Sequence, residues 1–412
     1  MNRIILIGNG FDLAHGLKTS YKDFIADFLS SKGEEIKKNE RGHECEFFKI
    51  DRSLYSIYDD LKTYGDYKKL FSNNTNKFKI KNKFFWEVIT KNGLEDWVDI
   101  ENEYYQRLKI ISQLSKDEHP AEQLRDLNKD LEQIKIKLKD YLIDEMQSSD
   151  KVTLKNRGID NLIKENISLN DLEQSVSKSI FKTIYEKLDD FKSNISEPFL
   201  YVDKSFSDLE GKKPSVEEFY RFMSQAQNAD DYIKLKAENL LMLSFNYTDT
   251  HLNYSNFNYS GTGYKLNISE LQIHGSLEDK NNPIIFGFGD ELDKDYQTIE
   301  DLDDNDYLEN IKSIKYLETD NYRKLLEFAE SDQFQIYILG HSCGNSDRTL
   351  LNTLFEHENC VSIKPFYHKR EDGTDNYSDI VRNISRNFTS KAKMRERVVN
   401  KTYTSPIPKR VN

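Results

Sequence analysis

Glycine, asparagine and aspartate follow a short apolar run near the start of the chain, in the order Gly8-Asn9-Gly10-Phe11-Asp12. The run Ile4-Ile-Leu-Ile7 has the length of a buried strand, and a helical pattern begins near Ser20. Glycine lets a backbone approach a phosphate closely, and the N–H groups at a helix N-terminus favour negative charge. The stretch therefore predicts a phosphate-binding turn. The full dinucleotide pattern needs a third glycine where this chain has Leu13, so a turn without a ligand is the alternative.

Polar clusters follow three further apolar runs. In open α/β sheets, ligands bind outside the carboxyl ends of the strands. Four such ends that carry Gly, Asn, His, Ser and Asp therefore predict one shared ligand site, although turn formation and helix capping also explain each cluster singly. The three later clusters are Asn246-Tyr-Thr-Asp249 after 240–245, His274-Gly-Ser after 271–273, and Gly340-His-Ser342-Cys-Gly-Asn-Ser-Asp347 after 335–339.

These residue types limit the possible chemistry. His274 could act as a general base near neutral pH, or simply hydrogen-bond at a strand end. Asn246 offers a donor and an acceptor, which suits a ribose hydroxyl or an attacking water, but it could equally shape a turn. Ser342 lies in a Gly-x-Ser-x-Gly pattern, yet a hydrolase triad would then depend on His368 with a preceding acid, which is weak support.

The predicted elements form a scaffold for this edge. Apolar strands followed by helices indicate an α/β fold with a mostly parallel, Rossmann-like sheet covered on both faces. A helix is predicted over 20–29, a loop over 30–46, and mostly helical periodicity from 47 to 239. We therefore expect the sheet domain (1–46 and 240–390) to be split by a large all-helical insertion (47–239). The strands are predicted at 4–7, 240–245, 271–274, 284–288, 335–339 and 361–363, and residues 391–412 as a loosely held basic tail.

Two acids and a tryptophan stand out inside the predicted insertion. In a helix, Trp97 and Glu101 share a face at a spacing of four residues, whereas Asp99 and Glu101 do not. A tryptophan anchored in the core beside solvated acids is the alternative. Together with Asp12, these acids could also bind Mg²⁺, since clustered carboxylates are oxygen ligands for that ion. Histidine and cysteine at diagnostic metal-binding spacings are absent, so we expect no metal.

Composition narrows the class of protein. The 412 residues carry a formal net charge of −12, which argues against general nucleic-acid binding. The three cysteines include no Cys-x-x-Cys pair, and this sparse, odd number suits a reducing cytoplasm. The sequence has no apolar run of ~18 residues and no signal-peptide pattern, so we expect a cytoplasmic protein without a membrane span.

The motif from Ile7 to Phe24 strongly resembles the AbiH family of bacterial phage abortive-infection proteins. It reads Ile-Gly-Asn-Gly-Phe-Asp-Leu-Ala-His-Gly-Leu-Lys-Thr-Ser-Tyr-Lys-Asp-Phe. Supporting matches are Trp97-Val-Asp-Ile-Glu101, Phe245-Asn-Tyr-Thr248, Ile273-His-Gly275, and Gly340-His-Ser342 with Asp347. The resemblance implies a defence protein whose activation harms the infected cell, but it does not by itself supply a reaction.

The order of the motifs is also similar to the sirtuin-like fold, a more distant resemblance. It implies an NAD-binding sheet in which Asn246 and His274 match the catalytic pair. By the same resemblance, Gly8 and Gly10 match the phosphate-loop glycines, and Ser342 and Asp347 face the adenosine half of NAD. We expect Asn9, Phe11, Asp12, Ser20, Asp249 and Gly340 to complete the nucleotide contacts.

Two features depart from the sirtuin pattern. The family's Gly-Ala-Gly turn with a following serine is here Gly8-Asn9-Gly10-Phe11-Asp12. Asp12 would repel a pyrophosphate unless it reaches a ribose or a base. The zinc module of the deacetylases is missing, so protein deacetylation is not expected.

The function expected from these resemblances is an antiphage effector that binds and hydrolyses NAD or a related nucleotide. One alternative is a nucleotide-sensing or interaction module without catalysis, in which the insertion oligomerises or recognises a phage-derived trigger. A second is a metal-dependent nucleotide or nucleic-acid hydrolase that uses Asp12, Asp99 and Glu101. Neither a membrane nor a nucleic acid is an expected partner.

Overall fold

A parallel sheet of five strands forms the centre of the molecule. The computed structural model describes residues 1–38, 42–51, 61–73, 77–92, 99–148, 155–187, 195–197, 200–202, 233–255 and 266–409. The strands in this part of the chain are β1 (Asn2–Ile7), β2 (His43–Glu44), β3 (Phe48–Ile50), β4 (Phe78–Ile80), β5 (Ile195–Glu197), β6 (Leu200–Val202), β7 (Ile233–Leu235), β8 (Asn239–Ser244), β9 (Asn267–Gln272), β10 (Phe334–Leu339) and β11 (Cys360–Pro365).

The central sheet has the strand order β11-β10-β1-β8-β9, and every neighbouring pair is parallel. The residues of β1, β10 and β11 are all buried, because helices cover both faces of the sheet. Ile5 lies opposite Tyr337 on one side and Met242 on the other, so β1 is the middle strand. The prediction of an α/β fold with a mostly parallel sheet is confirmed.

Helices pack around this sheet and contain most of the described residues between β1 and β8. Within the described residues they are α1 (Asn9–Ala14), α2 (Tyr21–Lys38), α3 (Tyr64–Asn73), α4 (Lys83–Asn92), α5 (Ile100–Ser112), α6 (Pro120–Ser148), α7 (Arg157–Lys164), α8 (Gln174–Lys187), α9 (Lys294–Glu300), α10 (Lys312–Lys315), α11 (Asn321–Ser331), α12 (Arg348–Phe355), α13 (Tyr377–Asn387) and α14 (Lys391–Arg397). None of these described helices has the length and apolar character needed to cross a membrane.

The expectation of an all-helical insertion is wrong, because two small antiparallel sheets lie within it. One has the order β2-β3-β4 and the other β5-β6-β7. The strands β3 and β4 share the sequence Phe-Lys-Ile, and they pair with Phe48 opposite Ile80. Three residues are too few to reveal an alternating pattern, so these strands escaped prediction. The boundaries at 47 and 239 stay a prediction.

Helix α2 continues well beyond the predicted 20–29, into the segment expected to be a loop. Gly33, which suggested a loop, is buried inside the helix. A Cβ atom at Gly33 would lie 1.7 Å from the carbonyl oxygen of Leu61. The glycine therefore serves the close approach of a neighbouring segment instead of ending the helix.

The segment 284–288, predicted as a strand, has no strand in the structure. Its backbone groups bond elsewhere: Ile285 N–H donates to the carbonyl of His274 at 2.8 Å, and Gly287 N–H donates to Glu101 Oε1 at 3.2 Å. Phe288 stacks on Tyr105 of α5 with ring centroids 4.0 Å apart. Phe286 and Phe288 thus pack with residues of the insertion, whereas Ile285 packs with residues of the sheet, and the segment adds no strand to it.

The C-terminal segment is packed against the end of β11, so the prediction of a loosely held tail is wrong for residues 391–409. Val399 N–H donates to the carbonyl of Ile363 at 2.9 Å, and Ile407 N–H donates to that of Tyr367 at 2.8 Å. Buried Arg397 donates to two carbonyls at the end of α12. Basic composition alone therefore did not indicate disorder here.

Buried polar contacts join the insertion to the sheet. Arg3 of β1 is 1% exposed, and its guanidinium lies 4.0 Å above the ring of Tyr337. The same guanidinium donates to the carbonyls of Ile163 and Glu165, both at 2.9 Å. The end of α7 is thereby fixed to the start of the middle strand, and the insertion is attached to the sheet at this point.

Candidate functional site

A cavity of about 390 Å³ opens at the carboxyl ends of β1, β8, β9 and β10. Its walls come from the loops after these strands, from the start of α2, and from α5 and α6 of the insertion. This volume is within the usual range for small-molecule sites. Of the residues predicted for the site, the cavity is lined by Gly8, Asn9, Asp12, Ser20, Asn246, His274, Gly340, Ser342 and Asp347, together with Asp99 and Glu101.

Other predicted residues lie outside the lining. Gly10 packs against Gly340 in the loop after β10, and Phe11 is buried against His15 and Tyr254. Asp249 is exposed and precedes a short 3-10 turn (Thr250–Tyr254). Trp97 lies outside the described residues.

The glycines of the first loop allow it to pack tightly against the loop after β10. A Cβ atom at Gly8 would lie 2.5 Å from His341 Cα, and one at Gly10 would lie 2.8 Å from Gly340 Cα. Gly340 has a positive φ of 78°, and a Cβ there would meet Phe11 N at 2.2 Å. These contacts explain the three glycines without any ligand.

The amides of this loop already have protein partners. Gly8 N–H donates to the carbonyl of Leu339 at 3.2 Å, and Gly10 N–H donates to that of Gly340 at 2.9 Å. Phe11 N–H donates to the carbonyl of Gly8 at 2.8 Å. In this conformation these three amides are not free to bind a phosphate, which was the role predicted for the turn.

Asp12 is a buried carboxyl group in the cavity wall. It is 1% exposed, and its Oδ2 accepts a hydrogen bond from Thr248 Oγ1 at 2.6 Å. Its Oδ1 accepts none from the residues that the structure describes. Burial raises the pKa of Asp12 from 3.8 to about 6, although nearby polar groups including Thr248 and Asn246 oppose the rise.

A buried lysine links two acids that are far apart in the chain. Lys312 Nζ lies 2.9 Å from Glu101 Oε2 and 2.8 Å from Asp347 Oδ1, and the lysine is fully buried. The two carboxylates raise the pKa of Lys312 above its ordinary value although burial opposes them. Burial raises the pKa of Glu101, whereas Lys312 and His274 hold that of Asp347 well below its usual range. The ammonium therefore remains charged between the two acids.

His274 is positioned by the same aspartate. Its Nε2 lies 3.1 Å from Asp347 Oδ1 and 3.1 Å from the hydroxyl of Tyr316. Burial and the nearby Lys312 lower the pKa of His274 to about 4, so the imidazole is neutral at pH 7. A neutral ring that donates from Nε2 to Asp347 presents Nδ1 as an acceptor.

A second histidine approaches the aspartate from the loop after β10. His341 Nδ1 accepts the N–H of Cys343 at 3.0 Å, so its proton is on Nε2, which lies 3.5 Å from Asp347 Oδ2. The ring of Phe245 lies between the two imidazoles, with centroids 5.0 Å from His274 and 4.1 Å from His341. All three residues line the cavity.

The remaining predicted residues have structural partners. Asn246 Nδ2 donates to the carbonyl of Gly8 at 3.1 Å, which joins the loops after β8 and β1. Ser20 Oγ accepts the N–H of Asp23 at 3.1 Å and caps α2. Asp347 precedes α12, but its side chain forms no capping bond there and instead faces the lysine. Asn246 therefore has a structural role in joining two loops, and Ser20 has a structural role as the cap of α2.

The described residues do not provide the geometry for two alternative reactions, hydrolysis by a serine triad and metal-dependent hydrolysis. His368 is not among the cavity-lining residues, so nothing joins it to Ser342 as a triad would require. No group of three His, Cys, Asp or Glu side chains in the described segments could hold a metal ion. Glu101, proposed as a metal ligand with Asp12 and Asp99, is committed to Lys312.

Four residues of the site were missed by sequence reasoning: Thr248, Lys312, Tyr316 and His341. Thr248 and His341 lie inside clusters that the sequence did single out, so those clusters could have found them. Lys312 gave no signal, because Ile-Lys-Ser-Ile-Lys at 311–315 reads as a short helix with surface lysines. Tyr316 follows that segment and likewise carries no motif.

Comparison with models of known protein families gives a match over most of the chain. A family model described as "Bacteriophage abortive infection AbiH" matches residues 4–368, which include all the cavity residues named above. Comparison with curated proteins gives no match.

Proposed function

The chain belongs to the AbiH family of bacteriophage abortive infection proteins, and we propose that it acts there as an effector that binds and hydrolyses NAD or a related nucleotide. Membership of the family implies a role in defence against phage by abortive infection. The proposal goes further than family membership in two respects: the reaction, which is hydrolysis of NAD or a related nucleotide, and a sirtuin-like organisation of the sheet.

One observation carries the proposal: Asn246 and His274 follow neighbouring parallel strands and line one cavity beside Asp12 and Asp347. A ligand bound at this edge would lie in the position that open α/β sheets generally use. The cavity also contains an imidazole oriented by a carboxylate, an arrangement that supports proton transfer at its other nitrogen.

The proposed reaction breaks the bond between the nicotinamide nitrogen and ribose C1′. The nicotinamide leaves with the bonding electron pair, and a water oxygen forms the new bond to C1′. His274 Nδ1 accepts the proton that this water loses, while Asn246 orients the water or a ribose hydroxyl. The products are nicotinamide and ADP-ribose, and the proton passes from His274 to solvent.

The direct test is to incubate the purified protein with NAD⁺ and to follow nicotinamide release by chromatography, with and without Mg²⁺ and phage lysate. We expect release that is lost in Asn246→Ala and in His274→Ala. His368→Ala is a matched control, because this histidine is not among the lining residues. Turnover that survives in either cavity variant would exclude the assigned roles.

A nucleotide sensor without catalysis is the second candidate, and one contact favours it. The insertion supplies part of the cavity wall, and its Glu101 shares Lys312 with Asp347 of the sheet edge. A ligand at this point touches both parts of the molecule and could change how they pack. Binding of NAD without any product, in the same assay, would favour the sensor.

A further inference from the structure

We propose that the cavity accepts the uncharged or cationic N-ribosyl end of its ligand, that Asp12 hydrogen-bonds the ribose hydroxyls, and that the phosphates stay at the rim beside Lys22. This inference rests on the proposed function only in taking an N-ribosyl nucleotide as the ligand class. It reverses the orientation that the glycine turn suggested, in which the phosphates occupy the loop.

The charge of the cavity favours this orientation. Four acids line it, namely Asp12, Asp99, Glu101 and Asp347, whereas the described lining includes a single lysine, Lys22. Lys312 lies behind the wall and is already shared by two of the acids. A phosphate in this interior would meet a net negative field, and a neutral sugar or a pyridinium cation would not.

The hydrogen-bond donors point to the same conclusion. Phosphate sites at strand–helix turns depend on free backbone N–H groups. Here the amides of Gly8, Gly10 and Phe11 donate to protein carbonyls at 2.8–3.2 Å. A phosphate that used the amides of Gly8 and Gly10 would have to break the contacts that hold the loops after β1 and β10 together.

One oxygen of Asp12, Oδ1, has no hydrogen-bond partner among the described residues. Asp12 is 1% exposed and lines the cavity. Buried carboxylate oxygens are costly to leave unpaired, so a donor from a ligand is the expected partner. The vicinal hydroxyls of a ribose are such donors.

The same carboxylate would assist bond cleavage. As the bond to the nicotinamide breaks, positive charge develops at ribose C1′ and its ring oxygen. A fixed negative charge nearby lowers the energy of that state more than the energy of the bound substrate. Asp12 is held in place by Thr248, so it needs no reorganisation during the reaction.

The rim supplies one place for the phosphates. Lys22, in the first turn of α2, is exposed and belongs to the cavity lining. Its ammonium can neutralise phosphate oxygens while remaining in water, where burial carries no penalty. A ligand with its ribosyl end inside the cavity donates hydrogen bonds to Asp12, and its phosphates at the rim are neutralised by Lys22.

The test measures binding by calorimetry at about pH 8, and needs no turnover. The probes are nicotinamide riboside, NAD⁺ and inorganic pyrophosphate, and the variants are Asp12→Asn and Lys22→Gln. We expect the riboside to bind the wild type, and Asp12→Asn to weaken it about tenfold or more through loss of a charged acceptor. We expect Lys22→Gln to weaken NAD⁺ alone, and pyrophosphate not to displace the riboside.

The matched control is Asp130→Asn, since Asp130 is also a buried carboxyl with its pKa raised to about 6 but lies outside the cavity lining. Riboside affinity unchanged in Asp12→Asn, displacement by pyrophosphate, or no riboside binding at all would each overturn the inference. Riboside binding with this pattern but without NAD⁺ hydrolysis would remove the proposed reaction and leave the inference standing. NAD⁺ hydrolysis that is unchanged in Asp12→Asn would overturn the inference and leave the proposed reaction standing.

Discussion

Replacing Asp12 by asparagine should remove a pH-dependent loss of stability from the fold. The wild-type carboxyl is buried, and burial is the largest cause of the rise in its pKa from 3.8 to about 6. The exposed neighbour Asp249 adds to the rise, and the nearby polar side chains of Thr248, Thr250 and Asn246 reduce it. Asparagine has nearly the same shape, keeps an oxygen that can accept the Thr248 hydroxyl, and does not titrate.

The sign follows from proton linkage. The folded state binds the Asp12 proton more tightly than the unfolded state, so this stabilisation is fully present below about pH 3.8 and is lost as the pH rises through about 6. A shift of about 2 pKa units corresponds to roughly 3 kcal/mol, of which about 2 kcal/mol develops between about pH 4.5 and pH 8. The stability of Asp12→Asn relative to the wild type should therefore increase by about that amount over this range.

Urea unfolding followed by tryptophan fluorescence at several pH values measures the difference. Asp301→Asn is the control, because Asp301 is exposed and is not among the groups that shift the pKa of Asp12. Its pH profile should run parallel to that of the wild type. A difference between Asp12→Asn and the wild type that stays constant within about 0.5 kcal/mol from pH 4.5 to pH 8 would refute the reasoning.

Three further predictions concern the contacts around the site. Lys312→Met should cost about 3–5 kcal/mol in urea unfolding, because it leaves Glu101 and Asp347 buried without their cation; a cost below about 1 kcal/mol would contradict the buried network. Gly340→Ala should lose more than about 2 kcal/mol, since its φ is positive and the new Cβ would meet Phe11 N at 2.2 Å. Gly344→Ala is its control, because the nearest atom would lie 3.6 Å away, and a larger loss there would contradict the packing argument. Tyr337→Phe should cost about 1–2 kcal/mol by thermal unfolding, since the hydroxyl donates to Glu165 Oε1 at 2.6 Å. Equal losses for Tyr337→Phe and for Tyr403→Phe, at an exposed site, would show that this bond contributes nothing.

The central strands could be predicted because their signal is local. The strands β1, β8 and β10 contain continuous apolar runs, as expected for strands covered on both faces. The edge strand β9 was predicted too late, at 271–274 instead of 267–272, because its first residues alternate between exposed and half-buried positions. The run 284–288 looks equally apolar, but its backbone is bonded to His274 and Glu101 and pairs with no strand of the sheet.

The strand-end residues could be placed for a similar reason. Once parallel strands are assumed, their carboxyl ends must meet at one edge, which brings Asn246, His274 and Asp347 together without further information. The role of the glycines was harder to read. The sequence does not distinguish a glycine that allows a phosphate to approach the backbone from one that allows another loop to approach. The contacts of Gly8 and Gly10 with residues 340–341 make this distinction.

The contacts of Lys312 with Glu101 and Asp347 could not be predicted from local sequence patterns. Lys312 is separated by 211 positions from Glu101 and by 35 from Asp347, so no periodicity or spacing relates the three. Read singly, each is a charged residue of the kind that usually faces water. Brought together, both acids depend on Lys312, because removing the lysine would leave two buried acids without their cation. The position of α5 is thereby tied to the charge of the loop after β10, and a ligand that changes the ionisation of Asp347 acts on both parts of the molecule.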